Sequence, residues 1–231
     1  NLIDLSTPKV MGILNITPNS FYDGGKFQED TIILKQVEKL LNEGATFIDI
    51  GAYSSKANAE FVSEEEELQR ILPVLQQIIK QFPEAIISID TFRAEVAKQS
   101  VLNGAALIND ISAGYLDEKM LPIIAELQVP YIMMHMKGNP QTMQSLTHYD
   151  DIVKEMIYYF SERIFEARKL GINDLIVDPG FGFAKTLEQN YEVMQKLNIF
   201  KQLELPLLVG ISRKSMIYKL LETSAQEALN G

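Results

Sequence analysis

Short runs of consecutive apolar residues alternate along this chain with longer stretches whose apolar residues recur every three or four positions. The short runs are typical of strands buried on both faces, as in a parallel sheet, and the longer stretches are typical of amphipathic helices. The predicted strands are Val10–Ile16, Phe47–Ala52, Ala85–Asp90, Leu107–Ile111, Tyr131–Met136, Leu175–Asp178 and Leu207–Ile211.

Capping residues mark the ends of several predicted helices. Ser63 with Glu66, and Thr186 with Gln189, have the spacing of a capping box. The run Glu64–Glu67 is interpreted as the negatively charged first turn of the helix that follows Ser63, where the helix dipole favours anions. Glycines are predicted just beyond the ends of three helices, where positive φ is favoured, at Gly44, Gly104 and Gly171.

Seven strand–helix units in succession predict a parallel sheet with right-handed crossovers. Either an open doubly wound sheet or a closed barrel satisfies this pattern. An open dinucleotide-binding sheet is expected to carry G-x-G-x-x-G after its first strand, and here Asn15-Ile16-Thr17-Pro18 follows instead. The pattern therefore favours a single α/β domain over residues 1–231, a (β/α)8 TIM barrel whose eighth unit is missing from this chain.

Composition narrows the function classes. The net charge of −10 argues against a nucleic-acid partner, because phosphate binding needs a basic surface. The chain has no cysteine, and no apolar run approaches the roughly 18 residues that a membrane span needs. We expect a soluble, cytoplasmic protein.

Polar residues follow almost every predicted strand, at the edge where parallel barrels carry their active sites. They are Asn15, Ser54-Ser55, Asp90, Asn109-Asp110, His135, Asp178 and Ser212-Arg213-Lys214. Each alone is explained as readily by a helix cap or a turn, but their convergence on one edge favours a site. Asp90 and Asp178 are the sharpest candidates, since a carboxylate that ends an apolar strand is costly without a partner.

Further features strengthen the case for a site at this edge. A carboxylate can accept two parallel N–H groups, which the edge of a 2-aminopyrimidinone ring offers. Lys214 stands at the start of a predicted helix, where free backbone N–H groups favour anions. The segment Asn15–Gly25, with Phe21 and a Gly24-Gly25 pair, is typical of a mobile lid, and a plain solvated loop is the alternative. His135 is predicted to be a hydrogen-bonded residue near the core, and His148 a surface residue.

Six motifs, in order, resemble the signatures of the dihydropteroate synthase family. They are Met11–Gly25, Ser88–Thr91, Ile108–Ser112, Met134–Gly138, Asp178–Phe183 and Val209–Ser215. The resemblance implies a transferase of folate biosynthesis that joins (7,8-dihydropterin-6-yl)methyl diphosphate to 4-aminobenzoate, giving 7,8-dihydropteroate and diphosphate. It also implies a homodimer that is a target of sulfonamides.

The same resemblance implies roles for individual residues. Asn15 would ligate Mg²⁺ together with the substrate diphosphate, and Asn15, Asp90 and Lys214 would act in catalysis. The pterin would be held by Asp90, Asn109, Asp178 and Lys214, with Met134 and Phe183 as walls. The 4-aminobenzoate site would be bordered by Phe21, Ser55 and Ser215.

The chain departs from the family pattern in places. The second loop reads Ser54–Asn58 where the family has Ser-Thr-Arg-Pro-Gly, so Lys56 lacks the bidentate fork of arginine. Ala184 replaces a usual glycine. The family's Arg-x-His pair on an eighth strand is absent, and we favour a trimmed chain over a crippled enzyme.

Two other functions remain as alternatives. A pterin-dependent methyltransferase would share the Asp and Asn pterin pocket, but it should lack the opening Asn-x-Thr-Pro motif. A non-catalytic pterin-binding protein is distinguished by a test for turnover of 4-aminobenzoate.

Overall fold

The computed structural model describes residues 3–16, 26–53 and 62–230 and has an α/β fold. One parallel sheet contains six strands in chain order, β1 Met11–Asn15, β2 Phe47–Gly51, β3 Ile86–Asp90, β4 Leu107–Asp110, β5 Tyr131–Met134 and β6 Leu175–Asp178. The helices are α1 Lys26–Asn42, α2 Glu64–Gln81, α3 Ala94–Leu102, α4 Met120–Leu127, α5 Ile152–Lys169, α6 Leu187–Gln195 and α7 Ser215–Tyr218. Short 3₁₀ segments lie at Met143–Ser145, Leu197–Leu203 and Ala228–Asn230.

The sheet curls so that one of its faces becomes the interior of a barrel. Side chains alternate between the two faces of a strand, and one set of alternate residues meets in a single apolar cluster. That cluster, which we call the floor, consists of Met11, Phe47, Ile86, Leu107, Ile132, Ile176 and Leu208. Since these residues come from all six strands and the segment after them, the sheet must close toward a barrel, as the sequence predicted.

The opposite face of the sheet packs against the helices. Leu14, Ile50 and Ile89 are at most 1% exposed and belong to the main hydrophobic core, together with buried residues of α2 and α5. Residues two or four positions beyond the floor therefore point into the barrel above it. Within the strands, these interior positions are Ile13, Asn15, Asp49, Gly51, Ser88, Asp90, Asn109, Met134 and Asp178.

Helix capping follows the sequence prediction at one of the two predicted boxes. Thr186 and Gln189 form a reciprocal capping box at the start of α6. Ser63 caps α2 by accepting a hydrogen bond from the N–H of Glu66 at 3.2 Å. The carboxylate of Glu66, however, pairs with Arg70 one turn later. Only the hydrogen bond to the Ser63 side chain is therefore formed, and the predicted capping box at α2 is incomplete.

The three glycines that were predicted to end helices all have positive φ, at +102° for Gly44, +103° for Gly104 and +85° for Gly171. Ala184 also has positive φ, at +47°, in the position where the family usually has glycine. The backbone there thus keeps the conformation that glycine favours, although the residue carries a methyl group.

The seventh predicted strand, Leu207–Ile211, is wrong as an extended strand. Leu207 makes a single parallel bridge to Val177, and the chain then leaves the ladder. A strand is stabilised by partners on both sides, and within the described residues this segment has only β6 beside it. On the far side, β1 is likewise an edge of the sheet, and its interior-facing Ile13 is 55% exposed.

No helix in the described ranges is long and apolar enough to span a lipid bilayer.

Candidate active site

The carboxyl ends of β1–β6, here called the rim, bring oxygen atoms from different strands together. Asn15, Gly51, Asp90 and Asn109 stand side by side in the register of β1 to β4. Gly51 has no side chain, and the point that its Cβ would occupy lies 3.3 Å from Asp90 Oδ2 and 3.7 Å from Asn15 Oδ1. The oxygens of Asn15 and Asp90 therefore approach each other over Gly51.

Asp178 ends β6 and is 8% exposed. Its Oδ1 accepts a hydrogen bond from the N–H of Gly180 at 2.7 Å, which turns the chain after the strand. Burial raises the pKa of Asp178 to about 6, against the opposing effects of the Gly180 N–H and the charges of Lys214 and Lys185. The carboxylate has unused acceptor capacity for a ligand, because each of its oxygens can accept more than one N–H.

Lys214 supplies the positive charge of the rim. It is the N-cap residue of α7, and its Nζ lies 4.7 Å from the centroid of the Phe183 ring. Burial lowers the pKa of Lys214, whereas the carboxylates of Asp178 and Asp90 act to raise it. Lys214 is thus close enough to Asp178 on β6 and to Asp90 on β3 to interact electrostatically with both carboxylates.

Asp90 is the carboxyl group most affected by its surroundings. Burial first, and then the charges of Asp49, Glu67 and Asp110, raise its pKa well above the ordinary value, and Lys214 opposes them. The rim therefore holds more negative than positive groups. A ligand that brings N–H donors or positive charge would relieve this imbalance.

An apolar wall stands beside these charges. Met134 is 4% exposed and packs in a cluster with Ile111, Met136, Met143 and Ala184, and Phe183 packs against that cluster. Met134 and Phe183, which the resemblance assigned as walls of the pterin ring, are therefore neighbours at one side of the rim. This arrangement can receive the flat face of an aromatic ring.

Asp49 is a residue of this interior that the sequence analysis missed. It lies in the middle of β2, is 7% exposed, and accepts a hydrogen bond from Asn109 Nδ2 at 3.0 Å. Burial raises the pKa of Asp49, while its neighbours Ser88 and Asn109 lower it. A single carboxylate inside the apolar run Phe47–Ile50 was the signal that could have revealed it.

Lys185 was also missed. Its Nζ is buried and lies 3.0 Å from Gly180 O, 3.0 Å from Phe183 O and 3.0 Å from His135 Nδ1. Burial lowers the pKa of Lys185 to about 7. The ammonium ties the loop after β6 to the end of β5, and a charged residue two positions after the Asp178–Phe183 motif was the available signal.

The two histidines are placed as the sequence predicted. His135 is 1% exposed and bonded to Lys185, so it belongs to the core beside the rim. The side chain of His148 is 94% exposed.

Glu64–Glu67 is the negatively charged first turn of α2, as predicted, but Glu67 is not exposed like the three residues before it. Glu67 is fully buried, accepts a hydrogen bond from the Thr91 hydroxyl at 2.7 Å and forms an ion pair with Arg93. Arg93 also donates to the carbonyl of Val62, just before α2. Glu67 therefore joins α2 to the segment after β3.

The remaining predicted site residues divide into two groups. Ser215 is the first residue of α7 and is half-buried. Phe21 and Ser55 lie outside the described residues, as do Lys56 and the rest of the second loop. In the described part of the chain, no group of three or more His, Cys, Asp or Glu residues is arranged to hold a metal ion.

Comparison with known proteins agrees with this geometry. The family model "Pterin binding enzyme" matches residues 11–230. The dihydropteroate synthase of Escherichia coli K12 is 46% identical over 231 residues, which cover 99% of this chain and 81% of the relative.

Two solved structures are similar over the same range. The Yersinia pestis dihydropteroate synthase in complex with a sulfonamide drug has a TM-score of 0.91 at 42% identity, covering 99% of this chain and 83% of that one. The Xanthomonas albilineans enzyme with 4-aminobenzoic acid has a TM-score of 0.90 at 38% identity, covering 98% and 81%. The chain therefore belongs to the pterin-binding enzyme family and, within it, to the dihydropteroate synthases, the transferases of folate biosynthesis.

Proposed function

We propose that the rim is the place where this chain joins a (dihydropterin-6-yl)methyl diphosphate to 4-aminobenzoate, with Asp90, Asn109, Asp178 and Lys214 holding the pterin. The observation that supports the assignment is the convergence of these four side chains above the apolar floor, next to the wall made by Met134 and Phe183. A flat, polar ring with donors on its edge fits such a site.

Asp178 would hold the donor edge of the pterin. Its carboxylate can accept two parallel N–H groups from the 2-amino group and the adjacent ring nitrogen, in a site with little water. Lys214 would neutralise Asp178 and Asp90 and donate to an acceptor atom of the ring. Asp90 would stabilise the positive charge that develops on the pterin as the C–O bond to diphosphate breaks.

The second substrate would then attack the methylene carbon. Because bond breaking runs ahead of attack, no protein nucleophile is needed. The arylamine nitrogen takes the place of the diphosphate oxygen and gives up one proton, to the departing diphosphate or to water. Phe21, Ser55 and Ser215 are proposed to border the 4-aminobenzoate. The Xanthomonas albilineans relative binds 4-aminobenzoic acid, which supports the same substrate here.

Mg²⁺ is proposed as the cofactor, because the donor atoms present suit it. Asn15 Oδ1 and Asp90 Oδ2 are hard oxygen donors that flank Gly51, and the missing side chain at that glycine leaves space between strands. Asn15 would hold the ion, and the ion would neutralise charge on the leaving diphosphate. One amide oxygen is a weak site alone, so the substrate's own oxygens would complete it.

The wider setting is also part of the proposal. We propose a single-domain, cytoplasmic homodimer that acts on small molecules, with no nucleic-acid or membrane partner, and that binds sulfonamides at the 4-aminobenzoate site. The Yersinia pestis relative was solved with such a drug. Sedimentation equilibrium tests the dimer.

Turnover is the decisive test of the proposed function. The purified protein is incubated with the pterin diphosphate, Mg²⁺ and labelled 4-aminobenzoate, and labelled dihydropteroate and free diphosphate are measured together. Equal amounts of both products are expected. Pterin binding without either product would favour the non-catalytic alternative, and methyl transfer from methyltetrahydrofolate would favour the methyltransferase.

A further inference from the structure

Asp49 is an acidic residue that is buried inside the barrel. It is on the interior face of β2, two residues after Phe47 of the floor and two residues before Gly51 of the rim. Its Oδ1 is buried and accepts no well-formed hydrogen bond among the described residues, although the Ser88 hydroxyl on the next strand, which has no other partner there, is near enough to lower the pKa of Asp49. A buried carboxylate with an unused oxygen destabilises a fold, so this residue calls for an explanation by function.

The other oxygen of Asp49 makes one specific contact. Oδ2 accepts a hydrogen bond from Asn109 Nδ2 at 3.0 Å, across a separation of 60 residues. Asp49 is on β2 and Asn109 on β4, and side chains from alternate strands share a layer inside a barrel of this type. The contact therefore spans the interior and passes over β3.

The contact determines which way the amide of Asn109 is turned. An asparagine amide has an acceptor oxygen and a donor nitrogen of nearly equal size, so either orientation fills the same space. An ionised carboxylate can only accept hydrogen bonds, and it therefore selects the orientation in which Nδ2 faces Asp49. Asn109 Oδ1 is left turned away from Asp49, and in the described part of the structure it accepts no hydrogen bond.

We propose that Asp49 is a positioning residue that holds the Asn109 amide with its oxygen toward the ring, so that the site presents acceptors to the N–H edge of a pterin. The proposal rests on the proposed function, because it takes Asn109 to be a pterin-binding residue. Asp49 itself touches Asn109 and not the ligand. It sets selectivity for rings with donors at this point, and an amide turned the other way would place two donors against each other.

The experiment compares Asp49→Asn with a matched control, Asp110→Asn. Asp110 is also a buried carboxylate of the sheet, but it faces the helices, where it accepts hydrogen bonds from Ser112, Gly114 and Tyr131. Binding of 6-hydroxymethylpterin is measured by calorimetry, and thermal unfolding is measured on the same samples. Turnover of the unaltered protein is measured first, so that a failure of the proposed function is recognised separately.

Asp49→Asn is expected to raise the Kd for the pterin about tenfold. The amide of the new asparagine can both donate and accept, so it no longer selects one orientation of Asn109. The KM for the pterin diphosphate should rise and kcat should stay. The melting temperature should be unchanged or higher, because a buried charge is removed. Asp110→Asn should show the reverse, a lower melting temperature with a much smaller change in pterin affinity than in Asp49→Asn.

A double variant tests that Asp49 acts through Asn109. If it does, Asp49→Asn in an Asn109→Ala background has no further effect on kcat/KM for the pterin diphosphate. Additive effects of the two changes would overturn the proposal. So would an unchanged pterin Kd in Asp49→Asn while the unaltered protein binds and turns over normally.

Discussion

Lys185 Nζ lies 3.0 Å from His135 Nδ1, and both side chains are buried. The ammonium has three N–H groups, and the two other acceptors at 3.0 Å are the carbonyls of Gly180 and Phe183. When Lys185 is protonated, Nδ1 of His135 accepts one of these N–H groups, and the proton of the neutral ring is then on Nε2. Consistent with this, burial and then the charge of Lys185 lower the pKa of His135 well below its usual value. One lysine thus fixes both the histidine tautomer and the loop that presents Phe183.

Replacing this lysine should loosen the loop. Lys185→Met leaves two carbonyls and a ring nitrogen without a donor, so we expect a loss of about 1–3 kcal/mol in the free energy of unfolding. Urea denaturation measures it, with exposed Lys80→Met as the control.

The effect of this lysine on stability should also depend on pH. The pKa of Lys185 is 10.5 in the unfolded chain and about 7 in the folded chain, so its protonation favours the unfolded chain between these values. The difference in the free energy of unfolding between the unaltered protein and Lys185→Met should therefore increase as the pH rises from 7 to 10.

Asp178→Asn tests the proposed pterin contact. The change puts an N–H₂ group where the ligand has its own donors, and we expect pterin binding to weaken by about 2–4 kcal/mol. Asn keeps an oxygen that can accept from Gly180, so folding should change little. Calorimetry with a pterin, beside a thermal melt, measures both quantities. Unaltered affinity would remove Asp178 from its assigned role.

Pterin binding should also depend on pH through the same residue. Burial raises the pKa of Asp178 from 3.8 to about 6, so the free protein takes up a proton there as the pH falls through 6. A protonated carboxyl cannot accept two N–H groups, and the affinity for a pterin should fall below pH 6. A titration series from pH 5 to 8 with 6-hydroxymethylpterin checks this. A flat profile in that range would contradict an ionised Asp178 in the complex.

The buried pair between Glu67 and Arg93 should contribute to stability, whereas its exposed neighbour should not. Glu67→Ala leaves the buried Arg93 without its carboxylate, and we expect a loss of about 3–5 kcal/mol. Glu66→Ala, which removes the half-exposed pair with Arg70, should cost no more than about 1 kcal/mol. Thermal and urea unfolding of both variants measure the difference. Equal losses would show that the burial of Glu67 has no energetic consequence.

Asn15→Ala tests the assembly of the second substrate site. Because one amide oxygen binds Mg²⁺ weakly alone, the diphosphate should be needed to complete the site. We expect turnover to fall more than pterin affinity in this variant. In the unaltered protein, 4-aminobenzoate should bind only after a pterin together with diphosphate. Tight binding of 4-aminobenzoate to the free protein would contradict this order.

The sequence by itself determined the strands β1–β6 and the edge where the site lies. Runs of apolar residues with polar ends are local features, and a parallel sheet places all such ends on one side. Asp90, Asp178 and Lys214 could therefore be named in advance. The seventh strand could not be settled in this way, because Leu207–Ile211 has the composition of a strand, yet how far it pairs depends on the segments of the chain that lie beside it.

Tertiary structure alone decided which side chains meet inside the barrel. Asp49 reaches Asn109 across 60 residues, and Lys185 reaches His135 across 50. Such contacts depend on strand register and on how far the sheet curls, and neither is encoded in the local spacing of residues. Glu67 is one of four consecutive glutamates at the start of α2, a pattern typical of an exposed helix turn. It is nevertheless buried, because α2 lies against the segment after β3. Packing thus decides which charged residues are buried together in the interior, and this is known only once the chain is folded.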